Sequence, residues 1–307
     1  MNKRSKMKKY RTHAILYLMM APGLLYLLIN NYIPMAGIVI AFKRLNFAKG
    51  IWASPWAGLD NFKFLFASRD AWIITRNTLL YNVAFIVVNM VVGIAIAIMI
   101  CEVRNQKLKK MYQSVILLPF LMSMVILSYI VHAMLSSENG LVNNTILPLL
   151  GMEPISWYQK PAYWPFILIF ANCWKGVGYG CLIYIATLIG IDPSYYEAAR
   201  LDGASKWQEI TKITLPCLVP TIITLLLLSI GRIFYSDFGL FYQVPMNSGV
   251  LFPTTNTIDT YVYRALIEQG NVSMSSAAGV YQSLVGFVIV IASNLLVRRY
   301  DKDRALF

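Results

Sequence analysis

Two histidines, four cysteines and 14 acidic residues are all that this 307-residue chain offers for acid–base or metal chemistry. His13 and His132 stand apart, H-E-x-x-H is absent, and no second ligand sits at a metal-binding spacing. Cys101, Cys173, Cys181 and Cys217 form no C-x-x-C, and we read them as reduced structural thiols. No G-x-x-x-x-G-K-[ST] phosphate loop occurs, so the chain does not itself hold ATP in that manner. Catalytic residues, a metal site and a bound cofactor are therefore not expected. Charge is scarce too: 13% of residues are charged and 58% are hydrophobic, unlike an ordinary soluble domain. The net charge of +13 raises the question of nucleic acid. The basic residues, however, sit between apolar runs and gather on alternate loops, which is the pattern of membrane topology.

What the chain has in quantity is apolar runs long enough to cross a bilayer. We expect an all-α integral membrane protein with six spans. A basic N-terminus, 1–13, precedes a first span at 14–42, followed by an aromatic-rich external segment at 43–74. A core at 75–298 holds the other five spans, at about 75–101, 112–135, 164–189, 218–242 and 277–297, and 299–307 is a basic C-terminus. Pro119 is expected to kink the third span. His132 reads as a hydrogen-bonded interfacial residue, and a short helix is expected around Thr257 to Ile267. With both termini in the cytoplasm, seventeen of the 27 Lys and Arg fall on cytoplasmic segments, as the positive-inside rule asks.

One polar stretch interrupts this pattern between the fourth and fifth spans, DPSYYEAARLDGASKWQEITKITLP, residues 192–216. Asp192 before Pro193 starts a helix, and Ser194-x-x-Glu197 reads as a capping box. Gly203 breaks the pattern, Ser205-x-x-Gln208 offers a second capping box, and Pro216 is expected to limit the second helix. Glu197-Ala198-Ala199, Asp202-Gly203, Ile213 and Leu215-Pro216 match at every spacing the EAA loop of ABC importer permeases, and the chain resembles that family. The resemblance implies the type I importer permease fold. In it Glu197 makes polar contact with a separate ATPase, Ala198 and Ala199 allow close docking, and Gly203 makes the turn.

Inside the spans, Trp174 and Lys175 lie in the fourth, and Arg232, Tyr235, Asp237 and Tyr242 lie in or near the fifth. Intramembrane charges face a cavity or a partner. Two readings stand side by side: Asp237 neutralises Lys175 or Arg232 and fixes packing, or these six side chains line a path for a sugar. The stretch from Ser229 to Pro245, with Tyr32-Ile33-Pro34 and Thr257-Ile258-Asp259, is similar to the complex-oligosaccharide branch (LplB/YteP-like) of the maltose-type permeases. A basic pair would suit a carboxylate-bearing sugar. Val177-Gly178-Tyr179-Gly180 spells the core of a potassium filter, but it lies inside an apolar run beside Lys175. Gly176 and Gly180, four apart, are expected instead to pack against another helix.

The resemblance thus implies a multi-pass permease in a bacterial cytoplasmic membrane, in contact with lipid and not with nucleic acid. Its implied partners are a second permease, two ATPase subunits carrying ATP and Mg, an external substrate-binding protein and an oligosaccharide. The sequence leaves open an ATP-independent secondary transporter or channel, and a permease-like sensor.

Overall fold

The computed structural model describes residues 3–300. Its regular elements are helices, and the pairing Lys43↔Trp56 is an isolated bridge among the described residues. The first helix, α1 (Lys3–Leu27), continues through turns of changing pitch to Phe42, so the apolar run Ala14–Phe42 is one rod. Long helices follow as α2 (Arg69–Glu102), α3 (Gln106–Leu121), α4 (Met124–Leu135) and α5 (Trp164–Ile189). The polar turn holds α6 (Pro193–Leu201) and α7 (Lys206–Glu209), and α8 (Leu215–Ile230) leads out of it. Short helices α9 (Phe238–Gln243) and α10 (Ile258–Tyr263) precede the last long one, α11 (Val272–Tyr300). Among the described residues five helices are long and apolar enough to cross a membrane, and α3 with α4 makes a sixth if that bent pair is one span. The basic residues Lys302 and Arg304 lie outside the described residues.

Three expectations about where the helices end change. The third span is not a kinked rod: α3 ends at Leu121, two residues past Pro119, and α4 leaves at 94°. Ser123 accepts the N–H of Ile126 and so caps α4. The fifth span does not run to Tyr242 either: α8 stops at Ile230, and the chain turns over 231–237 before α9. Pro216, finally, does not limit the helix before it. A π-helical turn at Ile210–Thr214 joins α7 to α8, so Lys206–Ile230 is continuous. The same device recurs at Leu28–Tyr32 before Pro34 and at Val142–Ile146 before Pro148. Proline lacks an N–H and its ring crowds the carbonyl four residues back, and the wider turn takes up both defects.

Packing then sets the frame. The most extensive helix contact is between α2 and α5. Tyr81, Phe85, Leu127, Trp164, Leu168 and Phe241 form one core where α2, α4, α5 and α9 meet. Ala97, Ile100, Cys181, Tyr184 and Leu218 form another nearer the polar turn, among α2, α5 and α8. The Val177–Gly180 tetrapeptide lies within α5, so its carbonyls belong to the helix and form no filter. Gly178, rather than Gly176 or Gly180, makes the close approach: a Cβ there would stand 2.0 Å from the Ile116 carbonyl oxygen of α3. Among the described residues the buried Nδ1 of His132 has no hydrogen-bond partner, and its ring meets Tyr158 edge-on at 5.3 Å.

Candidate functional site

The polar turn and a cavity some distance from it are the two places where the fold gathers chemistry. In the turn, the Asp192 side chain accepts the Ser194 N–H at 2.9 Å, and this bond holds its carboxyl below the usual range. Asp192, not Ser194 with Glu197, therefore caps α6. Ser205 and Gln208 do form the expected capping box on α7. Between the two helices Gly203 adopts φ +75°, a left-handed turn natural to glycine, and a Cβ there would meet nothing in this chain. Glu197, Ala198, Asp202 and Gly203 are exposed, Ala199 and Ile213 partly so, and Leu201 at 90% and Trp207 at 72% leave apolar surface uncovered. Leu215 and Pro216 open α8.

What holds the turn in shape is Glu209, which sequence reasoning passed over. Its side chain is 4% exposed, and Arg200 Nε stands 2.8 Å from one carboxylate oxygen and Lys206 Nζ 3.0 Å from the other. Those hydrogen bonds hold the carboxyl down to about 2, so it is ionised near neutral pH. The periodic signal was present, since Lys206 and Glu209 are three apart on a helix, but Arg200 comes from the helix before the turn.

The cavity, of ≈ 390 Å³, lies between α2, α5, α8 and the 231–237 turn. Its lining is mixed: Asn82, Asn89, Asn172, Tyr179, Ser229 and Arg232 supply polar groups beside Phe85, Ile86 and Leu225. Non-helical backbone at membrane depth must have its polar groups satisfied by protein. Here Gln282 Nε2 donates to the Phe234 carbonyl at 2.8 Å and Asn82 Nδ2 to that of Tyr235 at 3.1 Å. The Ser236 N–H and hydroxyl both donate to Asp259, at 2.6 and 2.7 Å.

The six side chains singled out in the spans do not converge. Arg232, Tyr235 and Asp237 line the cavity. Trp174 faces an apolar groove with Phe166 and Phe170 instead. Lys175 Nζ donates to the carbonyls of Phe120 and Met122, at 2.9 and 2.7 Å, and so closes the broken end of α3. Tyr242 stacks on Phe238 at 4.9 Å and donates to Glu268 at 3.3 Å, away from the cavity lining. The expected neutralisation does not occur: among the described residues no ion pair joins Asp237 to Lys175 or Arg232. Asp237 accepts the Leu240 N–H and caps α9.

Sequence reasoning missed the amides. Asn82 and Asn89 are seven apart in an apolar run, which puts them on one helix face, and Asn89 Nδ2 donates to Asn172 Oδ1 across to α5 at 2.8 Å. Paired amides in a bilayer span were the available signal.

With this geometry in place, the comparisons with known proteins are specific. The model of the family described as binding-protein-dependent transport system inner membrane component matches residues 73–302. The chain is similar to protein LplB of Bacillus subtilis (strain 168), 34% identical over 288 residues, 94% of this chain and 90% of that one. It is equally similar to that organism's polygalacturonan/rhamnogalacturonan transport system permease protein YteP, 34% identical over 293 residues, 94% and 89% of the two chains. Among solved structures it superposes on a chain of a bacterial ABC transporter involved in the import of the acidic polysaccharide alginate. The TM-score is 0.87 at 33% identity, over 97% of this chain and 99% of that one. A structure of the alginate transporter in complex with an alginate pentasaccharide-bound periplasmic protein gives a TM-score of 0.86.

Proposed function

This chain belongs to the family of binding-protein-dependent transport system inner membrane components, and from that premise we propose that it carries uronic-acid-containing oligosaccharides across the membrane. It is a sugar-type ABC importer permease, a transport subunit without chemistry of its own. The observation that carries the substrate reading is Arg232, an exposed guanidinium on a cavity of mixed lining, with no carboxylate among the described residues paired to it. A sugar acid fits such a lining. Its carboxylate meets Arg232, its hydroxyls meet Asn82, Asn89 and Asn172, and its apolar ring faces lie on Tyr179 or Tyr235. The acidic polysaccharide in the alginate transporter's description and the polygalacturonan in YteP's favour the same class.

In this reading a second permease closes the open side of the cavity and an external binding protein delivers the sugar. Two ATPase subunits, which hold ATP and Mg, receive the exposed polar turn with Glu197, Ala198, Ala199, Asp202 and Gly203 at the contact, while Ile213, Leu215 and Pro216 join the turn to α8. Both termini and the turn lie in the cytoplasm. ATP draws the turns of the two permeases together and opens the cavity outward, and hydrolysis returns it inward.

The test is Arg232→Gln in cells expressing equal amounts of the permease. A hydrogen bond to a charged group is worth about 1.5–3 kcal/mol, so uptake of trigalacturonate should fall about ten- to a hundredfold, with Arg232→Lys falling less. Wild-type uptake by Arg232→Gln would remove the substrate reading.

A further inference from the structure

The polar turn is covalently continuous with two walls of the cavity. α7 runs through the π-turn into α8, and α6 follows α5 after Gly190–Asp192. The third wall is α2, which contributes Asn82, Phe85, Ile86, Asn89 and Met90, and the sequence places it about ninety residues before the turn. One ion pair bridges that gap among the described residues. Lys206 Nζ stands 3.1 Å from Glu102 at the last residue of α2, while the same ammonium holds Glu209 at 3.0 Å.

The two halves of this cluster differ in kind. Glu209 is buried between Arg200 and Lys206, and it welds α6 and α7 into one body across the Gly203 turn. Glu102 and Lys206 are 54% and 57% exposed, so their bond adds little to stability. Its consequence is positional: a helix about 50 Å long, at 1.5 Å per residue, is tied at its end to the element that the ATPase moves. We propose that Glu102 is a positioning residue for coupling, which fixes the end of α2, already packed on α5 and α8, directly to the polar turn so that all three cavity walls move together. The proposal rests on the importer reading and not on the identity of the sugar.

Met90, on the α2 wall, is the reporter. The complete transporter would carry Met90→Cys, with Cys101, Cys173, Cys181 and Cys217 replaced by alanine, in right-side-out vesicles loaded with ATP and vanadate. The readout is the ATP-driven rise in labelling rate by a membrane-impermeant thiol reagent added outside. An exposed pair is worth at most about a fivefold effect, so Glu102→Gln should cut that rise about two- to fivefold. Lys206→Gln, which also frees Glu209, should cut it at least as much, and adding Glu102→Gln to Lys206→Gln should change nothing more, because Glu102 acts through that ammonium. Labelling of Glu102→Gln at the parent's rate would overturn the proposal. So would multiplying effects in the double variant, which would place Glu102 against another partner, and so would a parent in which ATP leaves labelling unchanged.

Discussion

Gly203→Asp should abolish ATP-driven uptake while leaving the permease folded, inserted and present at its normal level. Gly203 sits at φ +75°, where a left-handed backbone costs a non-glycine residue about 1–2 kcal/mol, and Asp and Asn are among the residues that tolerate it best. A new Cβ would touch nothing in this chain, so the fold has no steric reason to fail. The cost arises where the turn meets its proposed ATPase. A carboxylate added to a docked surface is desolvated without a partner, at several kcal/mol, enough to reduce docking and uptake more than tenfold. Gly203→Asn places a similar side chain without the charge and should lose less. Uptake and immunoblot at matched expression check both, and unchanged uptake by Gly203→Asp would sink this role for the turn.

Lys175→Met should cost the permease its stability rather than its selectivity. The Lys175 ammonium reaches two carbonyls where α3 ends and α4 departs at 94°. Carbonyls at a helix C-terminus have no partner within the helix, and no water replaces one inside a bilayer. Leaving each of the two unsatisfied costs about 1–3 kcal/mol, and the favourable charge at the negative end of the α3 dipole goes with it. The expected result is a lowered unfolding temperature of the purified permease and less of it in the membrane. Lys175→Arg, which keeps the donors, should recover part of the loss. A stable Lys175→Met permease with lost uptake would return Lys175 to the transport path.

These two residues also mark the limits of what the chain discloses by itself. Gly203 and the Ser205–Gln208 capping box rest on local rules and the helix Trp164–Ile189 on its apolar run, and the structure has each where the sequence puts it. The breaks at 122–123 and 231–237 do not: the apolar run passes the first without a pause, and at the second Arg232 and Asp237 read equally well as polar residues inside one span. They are held open by side chains far away in sequence. Lys175 serves the first, and Asn82, Asp259 and Gln282 serve the second. The same cause separated the intramembrane residues: Lys175 and Arg232 look alike as isolated charges in apolar runs, and only the fold gives one to a helix end and the other to a cavity. Two local rules failed: the Ser194–Glu197 capping box gave way to Asp192, and at Pro216 a π-turn absorbed a residue that ordinarily ends a helix.

The most direct measurement is uptake of radiolabelled trigalacturonate into proteoliposomes holding this chain with the permease, ATPase and binding protein recovered alongside it from native membrane. The account predicts accumulation that needs ATP on the ATPase side and the binding protein on the other, and that an equal amount of neutral maltotriose does not match. Accumulation that proceeds equally without ATP would contradict it, and would restore a transporter or channel that works alone.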